Sequence, residues 1–224
     1  MTTPRPKIAG AAIATAIALS ILIALGVWQI YRLHWKQALL AQIDAAERGP
    51  PRPLTGETPP LFTRVMVSGV LRPVAGLYGA EVRDEKLGAQ LVEVLDRPRA
   101  PPLLVILGWA GTQGGVPRPI AGPASITGYV RLPEHPTWLS APDDVDGRRF
   151  YTLDPAVIGP ALAAPDAAPF ILVALPPAAV AGPIPADSLP RPVNNHLQYA
   201  LTWFGLAASL LGVFSVWALR SRKS

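Results

Sequence analysis

The fold class follows from residues 192–219, which read PVNNHLQYALTWFGLAASLLGVFSVWAL. In this stretch, His196 and two aromatic residues stand where polar, proline-rich sequence enters an uncharged run from Leu197 to Leu219. A second uncharged run covers Ile8–Ile30. Each run is long enough to cross a hydrocarbon core about 30 Å thick as a helix, in which the backbone polar groups satisfy one another. The sequence therefore predicts two transmembrane helices.

The net charge of +5 comes from the two ends of the chain. Residues 31–196 carry 15 basic and 15 acidic residues, so the middle is neutral. The remaining basic residues flank the two runs on their outer sides: Arg5, Lys7, Arg220, Arg222 and Lys223. Because Lys and Arg stay on the cytoplasmic side, we expect both termini in the cytoplasm and the middle in the periplasm. The basic excess indicates topology, and we expect no nucleic-acid partner.

The alternative interpretation of the run Ile8–Ile30 is a cleaved signal peptide. Signal peptides have an apolar core of about 7–15 residues that ends at a small-residue cleavage site. Here the run is longer, and residues 24–28 (ALGVW) form a poor site, so we expect an uncleaved anchor. The chain contains no cysteine, which excludes disulfides, a CxxC copper pair and a CxxCH haem attachment.

The middle of the chain is predicted to be a β-rich domain. Gly49-Pro50-Pro51 ends the helix that continues out of the first run, and Asp154-Pro155 predicts the capped start of a short helix over 156–163. Turn signals separate short strands, predicted at 62–71, 90–95, 103–109, 125–131, 149–153 and 170–174. The fold class is α+β: a membrane protein in which two transmembrane helices flank a mainly antiparallel-β periplasmic domain with minor helix.

These predictions define five segments. They are a cytoplasmic tail (1–7), transmembrane helix 1 (8–30), the periplasmic domain (31–195), transmembrane helix 2 (196–219) and a second cytoplasmic tail (220–224). The periplasmic domain comprises a helical extension (31–48), a β-rich core (61–175) and a proline-rich linker (176–192).

His196 is the main candidate ligand. With Asn195 as N-cap, it falls in the first helical turn, where the helix dipole disfavours a charged imidazole, and the neutral ring is the form that binds a metal. Tyr199 and Trp203 follow on the same helical face. Aromatic rings beside an imidazole can hold a porphyrin with histidine on its iron. The alternative is an aromatic belt at the membrane interface with a snorkelling histidine.

Arg32 and Lys36 lie one turn apart just beyond the first run, where they can neutralise haem propionates. Lipid headgroup contact is the alternative. Trp28 belongs to the same neighbourhood, and His34 is a second possible ligand by residue type alone. The chain lacks G-x-S-x-G, H-E-x-x-H and a phosphate-binding Gly-Lys loop, so no enzyme template fits.

Two motifs resemble a known family. Residues 25–36 (LGVWQIYRLHWK) match L-G-x-W-Q-x-x-R-x-x-W-K, and residues 194–205 (NNHLQYALTWFG) match N-N-H-x-x-Y-x-x-T-W-x-G. Both are motifs of the surfeit locus protein 1 (Shy1-like) family of cytochrome c oxidase assembly factors, which the chain resembles over its whole architecture. Residues 106–109 (ILGW) stand where that family has N-R-G-W, so its Asn and Arg are absent.

The resemblance implies a bacterial inner-membrane protein that helps to mature the largest subunit of a haem-copper oxidase. It also implies haem a as a cofactor, with haem a synthase and membrane lipid as further partners, and no catalysis. The histidine matching His196 is implicated in ligating the haem iron, so Tyr199, Trp203 and Trp28 would border the macrocycle and Arg32 or Lys36 a propionate. Two alternatives stay open, namely a scaffold that never touches haem and an unrelated two-span periplasmic sensor or ligand-binding module.

Overall fold

The computed structural model describes residues 8–55, 57–112 and 116–223. The predicted tail at residues 1–7 lies outside this description. The chain divides into two compact units. The first, here called the helix pair, contains the described residues up to Gln42 and from Arg191 onwards, and the second, here called the barrel domain, contains residues 43–190.

The described part of the chain has a long helix at each end, with the strands and one short helix between them. In chain order they are α1 (Ile8–Arg48), β1 (Arg52–Pro53), β2 (Arg64–Arg83), β3 (Lys86–Arg97), β4 (Ala100–Gly111), β5 (Gly122–Arg131), β6 (Arg149–Phe150), α2 (Pro155–Ala161), β7 (Ile171–Ala174) and α3 (His196–Lys223).

Both long helices have the length and composition to cross a membrane, over Ile8–Arg48 and His196–Ser221. Large apolar side chains project outwards along them, such as Ile17 and Val213, which are 56% and 69% exposed. Such surface is stable only against an apolar solvent. The architecture therefore fits a membrane protein. α1 continues as one helix of 41 residues and ends before Gly49-Pro50-Pro51.

The sheet of the barrel domain closes on itself. Its strand order is β1-β2-β3-β4-β7-β5, and β5 pairs back with β2. The pairs β2–β3, β3–β4, β2–β5 and β5–β7 are antiparallel, whereas β4–β7 is parallel. The short strands β1 and β6 also pair with β2 in parallel. The sheet is therefore mixed, because β7 returns beside β4 after a long connection that contains α2.

β2 is longer than the sequence predicted. It continues past Leu71 to Arg83, with register shifts on the way. Residues 64–71 pair with β5, and residues 75–83 continue along β3. Pro73 lies in the irregular segment between them, and such a bulge bends a strand. One bent strand thus joins both sides of the closed sheet.

The core of the barrel domain follows the alternation of the strands. Val105, Ile126 and Leu172 belong to one buried cluster on the inner face. The opposite faces of β3 and β4 are buried too, at Val94 and Leu104 for example, which explains why these strands are apolar without interruption. The predicted capped helix is confirmed as α2, in which Asp154 accepts a hydrogen bond from the Ala156 N–H.

Glu93 is an ionisable residue buried in this core. It lies opposite Ala75 on β2 and Val105 on β4, and both are members of the inner cluster. Its carboxyl is fully buried and accepts one hydrogen bond, from the Ile120 N–H at 2.8 Å, while its Oε2 has no partner among the described residues. Burial raises the pKa of Glu93 to about 7.

Candidate functional site

His196 is the first residue of α3 and contacts α1 within the helix pair. Its Nδ1 lies 2.6 Å from Oε1 of Gln29. Gln29 is only 9% exposed, although it stands in an otherwise apolar part of α1. Nε2 of His196 has no hydrogen-bond partner among the residues described. The structure therefore holds the imidazole by one nitrogen and leaves the other available.

Two further contacts flank this pair, one between α1 and α3 and one between α1 and the segment that leads into α3. The Phe204 ring lies against Gly26 so closely that a Cβ there would stand 2.6 Å from the ring. On the other side of the Gln29–His196 pair, the Lys36 ammonium donates a hydrogen bond to the Val193 carbonyl at 2.6 Å. As the residue number rises along α1 from 26 to 29 to 36, the number of the contacted residue falls from 204 to 196 to 193. The two helices therefore run antiparallel.

Trp203 contains a buried donor. It lies seven residues after His196, on the same face of α3. Its indole Nε1 is shielded from solvent and has no hydrogen-bond partner in the described part of the chain. Since an unpaired buried donor costs about 1–3 kcal/mol, the helix pair lacks an acceptor here that another molecule can supply.

The two predicted cations have different surroundings. Lys36 is engaged by the Val193 carbonyl. The Arg32 guanidinium stacks 4.1 Å above the centre of the Trp35 ring, a cation–π contact that leaves its N–H groups without an acceptor in the residues described. Arg32 is thus the better placed of the two to bind an additional carboxylate.

The other predicted site residues are exposed. Tyr199 and Trp28 are each 55% exposed. His34 lies five residues beyond Gln29, which turns it by about 140° around α1, away from the His196 contact. The prediction that these side chains border one cofactor stays a prediction.

Sequence reasoning missed the part that Gln29 plays. Gln29 was not among the predicted site residues, whereas the structure pairs it with His196. The signal was present: an amide side chain follows Gly26 by three positions, inside the uncharged run Ile8–Ile30. α3 begins where it was predicted to begin, with Asn195 at the N-cap position: the Asn195 carbonyl accepts from the Tyr199 N–H at 3.3 Å, and the Asn194 Oδ1 accepts from the His196 N–H at 3.5 Å.

Three glycines of the two long helices do not form the helix contact. Gly10, Gly205 and Gly212 have open space around them, although each belongs to a pattern typical of close helix packing. An open groove of about 590 Å³ near the start of α3 lies on the face opposite Trp203 and is lined by Asn194, Asn195, Leu197, Gln198, Leu201 and Thr202. None of the predicted ligand residues lines it.

The described residues hold no cluster of three or more His, Asp or Glu side chains that could bind a bare metal ion. A lone imidazole suits a metal that brings most of its ligands with it, as iron does in a porphyrin.

Comparison with known proteins agrees with the two motifs. A model of the SURF1 family matches residues 16–208, which include both. The SURF1-like protein of Rickettsia conorii (strain ATCC VR-613 / Malish 7) is 28% identical over 219 residues, covering 91% of this chain and 89% of that protein. The SURF1-like protein of Rickettsia felis (strain ATCC VR-1525 / URRWXCal2) is 28% identical over 216 residues, covering 90% and 93%. The chain therefore belongs to the SURF1 family, known as oxidase assembly factors.

Proposed function

We propose that this protein binds haem a through His196 and passes it to the largest subunit of a haem-copper oxidase. One observation carries the proposal: the His196 ring is held by Gln29 at Nδ1, and its Nε2 has no partner in the described residues. A neutral imidazole with one free nitrogen is a ligand for haem iron.

The unpaired groups around His196 fit such a cofactor. Haem supplies an iron that accepts the imidazole lone pair and carboxylates that accept hydrogen bonds. The Trp203 Nε1–H is a buried donor without an acceptor among the described residues, and the Arg32 guanidinium, which rests on Trp35, makes no hydrogen bond with those residues either. We assign Arg32 to a propionate, and Tyr199, Trp203 and Trp28 to the surroundings of the macrocycle.

Lys36 then has a structural task. Its hydrogen bond to the Val193 carbonyl fixes the segment that leads into α3. The ammonium that was predicted to bind a propionate is therefore engaged within the protein. Removing Lys36 would free that segment, whereas removing Arg32 would leave the segment in place.

The proposal includes a location. Both helices would cross the bacterial inner membrane, with the termini in the cytoplasm and the barrel domain in the periplasm. The basic residues outside the two apolar runs support this orientation. Haem a synthase would be the source of the cofactor, and membrane lipid would cover the exposed apolar faces. The protein would hold and release haem without catalysing a reaction.

An absorption spectrum tests the proposal. The full chain is purified in detergent from cells that also express a haem a synthase, beside the variants His196→Ala, His34→Ala and His135→Ala. We expect a haem a spectrum in the wild type and in the latter two variants, because the proposed ligand among the chain's three histidines is His196, whose ring is held by Gln29 of α1. We expect His196→Ala to retain less than about a tenth of the haem.

A colourless wild-type protein under these conditions would overturn haem binding. If that colourless protein still co-purified with the largest oxidase subunit, the role of a scaffold without haem would replace the proposal. Full haem retention by His196→Ala would show that a residue other than His196 ligates the haem iron.

A further inference from the structure

We propose that Gln29 is the residue that positions His196: it fixes which ring nitrogen carries the proton and turns the other towards the ligand. The function of this positioning rests on the haem binding proposed above. The proton assignment itself does not, because it concerns two side chains of the protein alone.

The geometry of the contact sets the direction of the hydrogen bond. Oε1 of Gln29 is an amide oxygen and can only accept, so the His196 Nδ1 at 2.6 Å must donate. In the neutral ring the lone pair then resides on Nε2. A free imidazole side chain in water favours the opposite tautomer, with the proton on Nε2, so the contact reverses the usual preference.

The burial of Gln29 makes the contact strong. Its side chain is 9% exposed, so water does not compete for the amide oxygen, and a hydrogen bond in such surroundings is stronger than at a wet surface. A glutamine among apolar residues would be costly if it had no partner. His196 is that partner, which explains why a polar residue is tolerated at this point of α1.

The neighbouring contacts fix how the Gln29 side chain and the His196 imidazole approach each other. Residues 26, 29 and 36 lie on one face of α1, since steps of three and seven residues return to nearly the same direction. Phe204 against Gly26 and Lys36 on the Val193 carbonyl hold α3 from both sides of the Gln29–His196 pair. The pair is thus aligned by contacts that do not involve the imidazole.

The consequence for ligand binding follows from metal chemistry. A histidine that binds a metal usually donates its other ring N–H to an acceptor, and losing that acceptor typically weakens metal binding by about 10- to 100-fold. In this protein Gln29 is the acceptor. Gln29→Leu should therefore weaken haem binding by that factor, and Gln29→Glu, which keeps an acceptor oxygen at the same distance, should restore most of it.

The first experiment needs no haem. ¹⁵N spectra of the imidazole nitrogens are recorded on the full-length protein in detergent, labelled at its three histidines, with His196→Ala to assign the signals. We expect His196 to show a protonated Nδ1 and an unprotonated Nε2 in the wild type. Gln29→Leu should shift the proton towards Nε2, and Gln29→Glu should return it to Nδ1.

Gln198→Leu is the matched control. Gln198 has the same side chain, lies two residues after His196 and lines the groove on the opposite face of α3. Its replacement should leave the His196 signals unchanged. A wild-type His196 with its proton on Nε2, or identical His196 signals in the wild type and Gln29→Leu, would overturn the proposal.

The second experiment separates this proposal from haem binding as such. Haem affinity is measured by titration for the wild type, Gln29→Leu, Gln29→Glu and Gln198→Leu. Weaker binding in Gln29→Leu alone supports the positioning role, and equal affinity in all four overturns it. If the wild type binds no haem, the proposed function fails and the positioning role fails with it, while the ¹⁵N result still decides the proton assignment.

Discussion

The helix pair and the barrel domain bury different kinds of residue. In the barrel domain, whole stripes of Leu, Ile and Val are nearly inaccessible, such as Leu95, Leu103 and Ile126 at 0–1% exposed. In the described part of the helix pair, the buried residues are Gly26, Gln29, Ala200 and Ala207. The helices thus expose their large apolar side chains and enclose small or polar ones.

This difference reflects the solvent that each unit requires. The barrel domain excludes water from its own apolar side chains, and the gain is shared over many residues. Helices in lipid gain little by burying apolar surface against each other, so their arrangement depends on close packing and a few hydrogen bonds. A few contacts, at Gly26, Gln29 and Lys36, therefore determine how α1 and α3 meet.

Both units hold polar groups away from water, and two of these groups are satisfied unequally. Gln29 is paired with His196 in the helix pair, whereas Glu93 in the barrel domain keeps one carboxyl oxygen without a described partner. We expect the first group to control a function and the second to control stability.

The largest difference between the units should appear when one isoleucine is truncated in each. Ile126→Ala removes a side chain that is 0% exposed in the barrel core and should lower the free energy of unfolding by about 2–5 kcal/mol. Ile17→Ala, at a position 56% exposed on α1, should change it by less than about 0.5 kcal/mol. Denaturant unfolding of the full chain in detergent, followed by tryptophan fluorescence, measures both. Equal losses would contradict the contrast between the units.

The next effect concerns pH and Glu93. Because burial raises the pKa of Glu93 to about 7 from an ordinary value of 4.5, its proton stabilises the folded state at low pH. This contribution is complete below about pH 4.5 and is lost as the pH rises through 7. Between pH 5 and 8 the loss should reach at most about 3 kcal/mol.

Glu93→Gln should remove this loss, because its amide stays neutral at both pH values. Unfolding free energies measured at pH 5 and pH 8 test this, with the exposed Glu85→Gln as control. A wild-type protein that is equally stable at both values, or a Glu93→Gln variant with the wild-type pH profile, would refute the assignment.

The smallest effect should come from a single methyl group between the helices. In Gly26→Ala the new Cβ would stand 2.6 Å from the Phe204 ring, so the ring must move. We expect a cost of about 1 kcal/mol, which corresponds to roughly fivefold weaker haem binding. Gly10→Ala is the control, since nothing lies within 4 Å of that position.

The double variant Gly26→Ala with Phe204→Ala should recover affinity, because it removes the atoms that the methyl group meets. Haem titration of the four proteins measures this. Equal weakening by Gly10→Ala would show that small residues along the whole of α1 matter, and that the contact at Gly26 is not special.

The comparison also shows how far sequence patterns reach. Uncharged length predicted both helices, and the Asp154-Pro155 pair predicted α2, because these signals are local. The second half of β2 was missed, since Pro73, Gly76 and Gly79 are typical of turns. The structure accommodates them in a bent strand, and Gly79 has a φ of +68°, which glycine adopts without strain.

The parallel pairing of β7 with β4 was missed for a different reason. Local alternation reports which faces of a strand are buried, and it contains no information on the neighbouring strand. The strand predicted at 103–109 is confirmed within β4, whereas its contact with residue 184, where the Trp109 N–H donates to the Ile184 carbonyl at 2.7 Å, was not predicted.

The sequence by itself determined the two apolar helices, the neutral domain between them, the family and His196 as the residue to test. These depend on length, charge and ordered motifs, which can be read along the chain. Only the tertiary structure decided that Gln29 faces His196, that Lys36 is engaged by Val193, and that Glu93 enters the core. Each of these facts depends on residues 27 to 167 positions apart in the chain, and such distant contacts are fixed only when the helices and strands pack together.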